Sequence, residues 1–177
     1  MISEQELLVQ AGQFDTQALS EIYDLYSPRL YRYAMRLLGD SSTAEDCVSE
    51  TFSRFLKALQ AGKGPRDYLQ AYLFRTAHNL VVDHYRRHAE RVTEELDDDL
   101  PELETTEEIA ALNLSQRRVR EALRQLTEDQ QQVVALKFLE GWENEAVAKA
   151  LKKPVGAVKS LQHRALAQLQ KILLDEV

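Results

Sequence analysis

The chain is poor in residues that interrupt helices. Four prolines and six glycines are spread over 177 residues, so long helices are expected. A single cysteine, Cys47, excludes an internal disulfide and suits a reducing compartment. A half-buried place on a helix is a plainer expectation for it than reactivity. No apolar run approaches the roughly eighteen residues of a membrane-spanning helix, so no membrane insertion is expected. The opening MISEQELLVQ carries acids where a secretory signal has a basic start and an apolar stretch, so no signal is expected and the cytoplasm is the expected location. The stop at Val177 argues against a sensor domain fused behind the last helix. Apolar alternation of period two is absent, which leaves an all-α chain. No phosphate-cradling glycine loop, HExxH pattern or cysteine–histidine set is present, so neither a catalytic residue nor a cofactor is implied.

What is there divides the chain by charge. Apolar residues make up 44%, enough for real cores, and the net charge is −7. Residues 92–116 hold nine acids and no lysine or arginine. That is two more than the whole net charge, so the rest of the chain is slightly positive. Three parts result: residues 1–91, an acidic connector at 92–116 that runs into the next helix, and residues 117–177.

In the first part, Leu19, Ile22, Tyr23, Tyr26, Leu30, Tyr33, Ala34, Leu37 and Leu38 recur at helical spacing. Ser27-Pro28 within that run predicts a kink or a new start, and Gly39 a C-terminal cap. Ser42 with Glu45 predicts a capping box for a helix to about Leu59, buried through Val48, Phe52, Phe55, Leu56 and Leu59. Residues 60–66 read as a loop and residues 67–91 as a third helix. Thr105 with Glu108, and Thr127 with Gln130, predict two further starts, the second helix ending at Gly141.

Two stretches carry chemistry. The C-terminal one reads WENEAVAKAL, KKP, then VGAVKSLQHRALAQLQKILL. A short helix, a tight turn and a longer helix make a helix-turn-helix, whose second helix enters the DNA major groove. Ala148 is small where the helices cross, Lys152 falls in the turn, and Val158 faces inward ten residues on. Residues 149–171 hold six lysines and arginines and no acid, which suits a polyanion. A basic helical hairpin with no DNA role is the plain alternative. The other stretch is the third helix, DYLQAYLFRTAHNLVVDHYRRHAER. Leu69, Tyr72, Leu73, Thr76, Ala77, Leu80 and Val81 form an apolar stripe. Arg75, His78, Asn79, Asp83, Arg86, Arg87 and Arg91 lie largely off it, interleaved with Tyr68, Tyr72, Phe74 and Tyr85. Such residues reach phosphates and base edges and offer stacking platforms, while an ordinary amphipathic helix is again the alternative.

The order of these features resembles a bacterial RNA polymerase sigma factor of the extracytoplasmic-function group over nearly the whole chain. AMRLLGDSSTAEDCVSETFSRFL resembles the part of sigma region 2 that docks on polymerase, and AYLFRTAHNLVVDHYRR its promoter-recognition helix. LRQLTEDQQQVVALKFLEGWENEAVAKALKKPVGAVKSLQHRALAQL resembles region 4. The resemblance implies two small helical domains and a transcription initiation factor that is not itself an enzyme. Its partners would be core RNA polymerase (the β′ clamp helices and β flap), promoter DNA and an anti-sigma factor. Asp46, Glu50, Phe52 and Phe55 then fall where the family contacts the β′ coiled coil. The loop 60–66, with Lys63 and Arg66, falls where a flipped base of the minus-ten element is captured. Asn79, Asp83, Arg86 and Arg87 match positions that read or anchor that element. Lys159, Ser160, His163 and Arg164 face the minus-thirty-five element, with Val155, Gly156 and Ala157 at the helix start, whose free amides can hold a phosphate. The family's linker passes near the RNA path of the polymerase. The acidic connector either occupies basic channels there or is a solvated tether, and its charge repels promoter DNA in the free protein.

The chain departs from the family pattern at four places. Lys152 stands where glycine is common, Tyr72 where tryptophan is usual, Leu161-Gln162 in place of a basic-then-apolar pair, and Trp142-Glu143-Asn144 in place of a small polar cap. Two other classes compete. One is a helix-turn-helix regulator that binds duplex DNA without polymerase. The other is a metal protein built on His84 and His88 at i, i+4, for which no third ligand is placed.

Overall fold

A computed structural model describes residues 2–92 and 106–175, which contain helices and no strand. In chain order they are α1 (Glu4–Gly12), α2 (Thr16–Leu38), α3 (Ser41–Gln60), α4 (Leu69–Val92), α5 (Glu107–Arg124), α6 (Glu128–Val134), a π turn (Ala135–Leu139), α7 (Asn144–Leu151) and α8 (Val155–Asp175). Seven of the connector's acids, Glu94 to Glu104, lie outside the described residues, and the expectations for them with it.

Side-chain caps set most of the helix starts. Ser3 and Glu6, and Thr127 and Gln130, form reciprocal capping boxes. Gly39 closes α2 at φ 74°, where a Cβ would be strained. The predicted box at Ser42 and Glu45 does not form. Asp40 caps α3 instead, accepting from the Thr43 amide at 2.9 Å and the Thr43 hydroxyl at 2.6 Å. Directly after Gly39, Asp40 is the first side chain able to reach the free amides, and it starts the helix one residue before Ser42. At α5 the cap is Thr106, accepting from the Ile109 amide; the predicted Thr105 lies outside the described residues. Pro28 starts no new helix. It is exposed within an unbroken α2, so the Asp24 carbonyl it leaves unbonded can be hydrated, while Tyr26 and Leu30 on either side anchor the helix in the core.

α2, α3 and α4 pack on one another around Leu30, Tyr33, Leu37, Phe55, Leu69 and Leu73. Two expected core residues point outward: Tyr23 is half exposed and lies across Phe52, and Leu56 is exposed. A second core joins α5 to α8 through Leu123, Val133, Leu136, Val147, Val158 and Ala165. The cores meet, because α4 packs against α7 as well as α2 and α3. Phe74 of α4 stands edge-on to Trp142, with ring centroids 4.9 Å apart. This explains why α4 buries Ala71, Phe74, His78 and Val82 beyond its predicted stripe.

Candidate nucleic-acid interface

The C-terminal motif is a helix-turn-helix built from its smallest residues. Val147, Ala148 and Ala150 of α7 are buried, as are Val158 and Ala165 of α8, so the two helices approach closely. Lys152 adopts φ 55° and ψ 45°. This left-handed residue turns the chain, and the Lys153 amide then closes on the Ala148 carbonyl at 3.0 Å. An L-residue there costs on the order of 1 kcal/mol relative to glycine. Glu143 precedes α7 without a side-chain cap, as the unusual Trp142-Glu143-Asn144 entry suggested.

α8 is pinned on its inner face, which leaves Lys159, Ser160, His163 and Arg164 exposed together. Their i, i+1, i+4 and i+5 spacing puts them on one face, and Arg164 reaches back to the Ser160 carbonyl. At the helix start Gly156 is exposed, and Val155 and Ala157 are half-buried. The departure at Leu161-Gln162 has a packing reason. Leu161 is half-buried against the core, and Gln162 Nε2 donates to Asn144 Oδ1 at 2.7 Å, tying α8 to the first turn of α7. That tie was not legible in the sequence, because a Gln–Asn pair across eighteen residues has no local signature.

On α4, Asn79, Arg86 and Arg87 point outward, with Asp83 half-buried beside them, and Arg91 is exposed one turn further on. Their three- and four-residue spacing makes a continuous row. Asp83 lies 3.9 Å from Arg86. Lys63 and Arg66 are exposed in the loop that leads directly into α4. That loop is shaped by Gly62 at φ 70° and by Gly64, where a Cβ would meet the Leu59 side chain at 2.5 Å.

Other expected members are elsewhere. His78 is buried, with Nδ1 2.7 Å from the Tyr33 hydroxyl, and burial holds its pKa down to about 4. Of the four aromatic rings expected to stack bases, Phe74 is fully buried and Tyr72 half-buried. Tyr85 donates to the Leu37 carbonyl beneath Arg124. Tyr68 alone is open, at φ 49°, with the Lys149 ammonium 4.5 Å over its ring. Arg75 is half-buried and donates to the Ala150 carbonyl at 3.4 Å.

On α3, Asp46 and Glu50 are exposed one turn apart, and Glu50 pairs with Arg54 at 3.3 Å. Phe52 and Phe55 are not beside them at the surface. Both are core residues, Phe55 only 1% exposed and packed on Tyr72. Both belong to the buried stripe read from the sequence, because the 3.6-residue period carries positions 52 and 55 round to the inner side, away from Asp46 and Glu50. Cys47 is buried there, its thiol pushed up to about 11 by desolvation. His84 and His88 stack at 6.2 Å, and no cluster of three metal-ligating residues occurs among the described residues. No helix among them is long and apolar enough to cross a membrane.

Comparison with known proteins agrees with this geometry. The family model for Sigma-70 region 2 matches residues 22–91, and that for Sigma-70, region 4 matches residues 116–169. The ECF RNA polymerase sigma factor BldN of Streptomyces coelicolor is 34% identical over 174 residues, covering 97% of this chain and 66% of BldN. The chain thus spans a little under two thirds of BldN. The ECF RNA polymerase sigma factor SigL of Mycobacterium tuberculosis is 30% identical over 167 residues, covering 93% of this chain and 94% of SigL. Among solved structures, CnrH in complex with the cytosolic domain of CnrY superposes with a TM-score of 0.72 at 23% identity, over 98% of this chain and 99% of that one. RpoE in complex with the anti-sigma factor NepR from Bartonella quintana gives 0.59 at 23% identity, over 87% of this chain and 95% of that one. The two structures share the fold. With both sigma-70 regions matched in order and a relative similar along nearly its full length, the chain belongs to the ECF RNA polymerase sigma factors, the transcription initiation factors that direct RNA polymerase to promoters.

Proposed function

We propose that the chain divides the work of promoter selection among three helices. Residues 1–91 bind core polymerase and read the minus-ten element, residues 92–116 connect, and residues 117–177 read the minus-thirty-five element. Asp46 and Glu50 on α3 dock the β′ clamp helices, and region 4 meets the β flap. Lys63 and Arg66 in the loop, with Asn79, Asp83, Arg86 and Arg87 on α4, hold and read the minus-ten strand. Flipping a base there costs a few kcal/mol, which contacts along this row offset. Lys159, Ser160, His163 and Arg164 on α8 enter the major groove upstream, and the amides of Val155, Gly156 and Ala157 meet a phosphate. The factor acts by binding, with bond-making chemistry left to the polymerase, and works in the cytoplasm, where chromosome and polymerase are.

The observation that carries this reading is the row on α8, exposed and basic at the helix a helix-turn-helix projects into DNA. An anti-sigma partner is part of the proposal, supported by the complex of RpoE with NepR. The test is run-off transcription with purified chain and bacterial core polymerase on pooled genomic fragments. Discrete transcripts absent with core alone are expected. No transcripts and no co-elution with core would transfer the weight to a polymerase-independent helix-turn-helix regulator.

A further inference from the structure

Small apolar surfaces and one directional bond hold α8 against α7. Val147, Ala148 and Ala150 pack on Val158 and Ala165, all buried. Valine and alanine let the helices approach closely but raise shallow ridges, and apolar contact has no preferred direction. A contact this smooth resists separation better than it resists rotation of one helix against the other. Gln162 adds the missing constraint. Its Nε2 donates to Asn144 Oδ1 at 2.7 Å, joining the eighth residue of α8 to the first of α7, both half-buried. Among the described residues it is the one side-chain hydrogen bond between these two helices. A hydrogen bond has a length and an angle to satisfy, so this one selects a rotation of α8 about its own axis.

That rotation decides where the exposed row points. Lys159 is three residues before Gln162 and His163 is the next residue, so fixing Gln162 fixes both. Side chains end about 5–6 Å from a helix axis. A turn of about 20° therefore moves their tips by about 2 Å, well beyond the roughly 0.5 Å spread of a good hydrogen-bond length. The neighbouring position raises the demand on geometry. Leu161 stands where the family pattern has a basic residue, and it packs against the core. The upstream element is thus gripped by fewer charges and depends more on contacts held in place beforehand.

We infer that Gln162, through its hydrogen bond to Asn144, is a positioning residue for recognition of the minus-thirty-five element. It sets the rotation at which Lys159, Ser160, His163 and Arg164 meet the major groove, and with it the discrimination among upstream sequences. The inference rests on the promoter reading proposed above and adds a residue that acts through others. Neither amide carries a charge, so the bond governs which bases fit rather than how strongly the DNA backbone attracts the protein. Base contacts specify sequence, whereas phosphate contacts set the salt dependence. Loss of the bond lowers the preference for the right element and leaves the salt dependence in place.

The test uses the holoenzyme, chain plus bacterial core polymerase, on a promoter recovered by the run-off assay, with its upstream element intact or carrying single base-pair changes. Gln162→Leu keeps the half-buried place filled, with the apolar kind of residue the family pattern has there, and removes the bond. Asn144→Ala removes it from the other side, and Asn144→Asp keeps the acceptor. The ratio of transcripts from intact and changed elements should fall about three- to tenfold in the first two variants, the range of one net hydrogen bond, and no further in their combination. Asn144→Asp should keep the wild-type ratio while its added negative charge lowers transcription from both elements. The salt slope for binding the intact promoter should change by less than about 1 in all variants that add no charge. A merely weakened helix-turn-helix would lower transcription from both elements alike and leave the ratio unmoved. That result in folded variants, or a ratio lost equally in Asn144→Asp, would overturn the positioning role. A wild-type holoenzyme indifferent to changes in the upstream element would instead overturn the reading of α8 itself, and the role of Gln162 with it.

Discussion

The Tyr33 hydroxyl and His78 Nδ1 lie 2.7 Å apart in the core between α2 and α4, and neither ring reaches solvent. Burial disfavours both charged forms: it raises the Tyr33 pKa well above its ordinary value and lowers that of His78 to about 4. The Glu128 backbone and the Asp129 carboxylate pull His78 the other way, less strongly. His78 is a neutral core residue, joined to α2 through the Tyr33 hydroxyl, with its Nε2 left without a hydrogen-bond partner.

Of this pair, His78 makes stability fall with acidification. The folded pKa of His78 is below its unfolded value near 6.5, so the unfolded chain binds the proton first. Stability is full above about pH 6.5, declines as pH falls toward 4 and levels off below. Between pH 7.5 and 5 the loss from this group is about 2 kcal/mol. Denaturant melts across that range should show a steeper decline for wild type than for His78→Gln. Parallel curves would exclude His78 as the source.

Lys152 is held in a left-handed conformation that glycine adopts freely. Lys152→Gly should raise stability by up to about 1 kcal/mol, the relief at φ 55° being partly offset by glycine's greater unfolded entropy. A thermal midpoint higher by a few degrees is expected. A lower midpoint would mean that the lysine side chain stabilises the turn.

Arg164→Glu reverses charge at the C-terminal end of the exposed row on α8. Transcription from promoters that need the upstream element should fall at least about tenfold, the cost of a lost contact to base or phosphate. Co-elution with core polymerase should be unchanged. Loss of core binding in a folded variant would contradict the proposed division between α8 and α3.

Asp46→Arg combined with Glu50→Arg should act in the opposite sense. Both side chains are exposed and, among the described residues, only Glu50 has an ion-pair partner, on the surface, so folding should change by less than about 1 kcal/mol. Affinity for core polymerase should drop at least about tenfold. An unchanged holoenzyme in gel filtration would remove this face from the interface.

Much of the candidate site was legible because it depends on local rules. Asn79, Arg86 and Arg87 are off the apolar stripe of α4 and are exposed as that stripe predicts. The helix-turn-helix follows from the helical periods on either side of Lys152-Lys153-Pro154, and the caps at Gly39 and Thr127 from residues three or four apart. Local rules failed where two candidates competed for one helix end, as Asp40 outcompeted Ser42, and where an amphipathic helix has a second neighbour. His78 and Phe74 lie off the stripe of α4 and read as solvent-facing, yet both are buried, His78 against Tyr33 of α2 and Phe74 against Trp142 as well as Tyr33.

The sequence by itself determined the helices, the two sigma regions in their order, the charge that separates them and the exposed rows proposed to read DNA. All of these arise from spacings of one to about ten residues, which the helix period converts directly into shared faces. Only the tertiary structure decided that the regions pack on one another. Arg36 with Glu140, Arg86 with Glu128 and Phe74 with Trp142 join residues 104, 42 and 68 positions apart. No periodicity links residues so distant in the chain; their meeting depends on how the two packed cores come together in space.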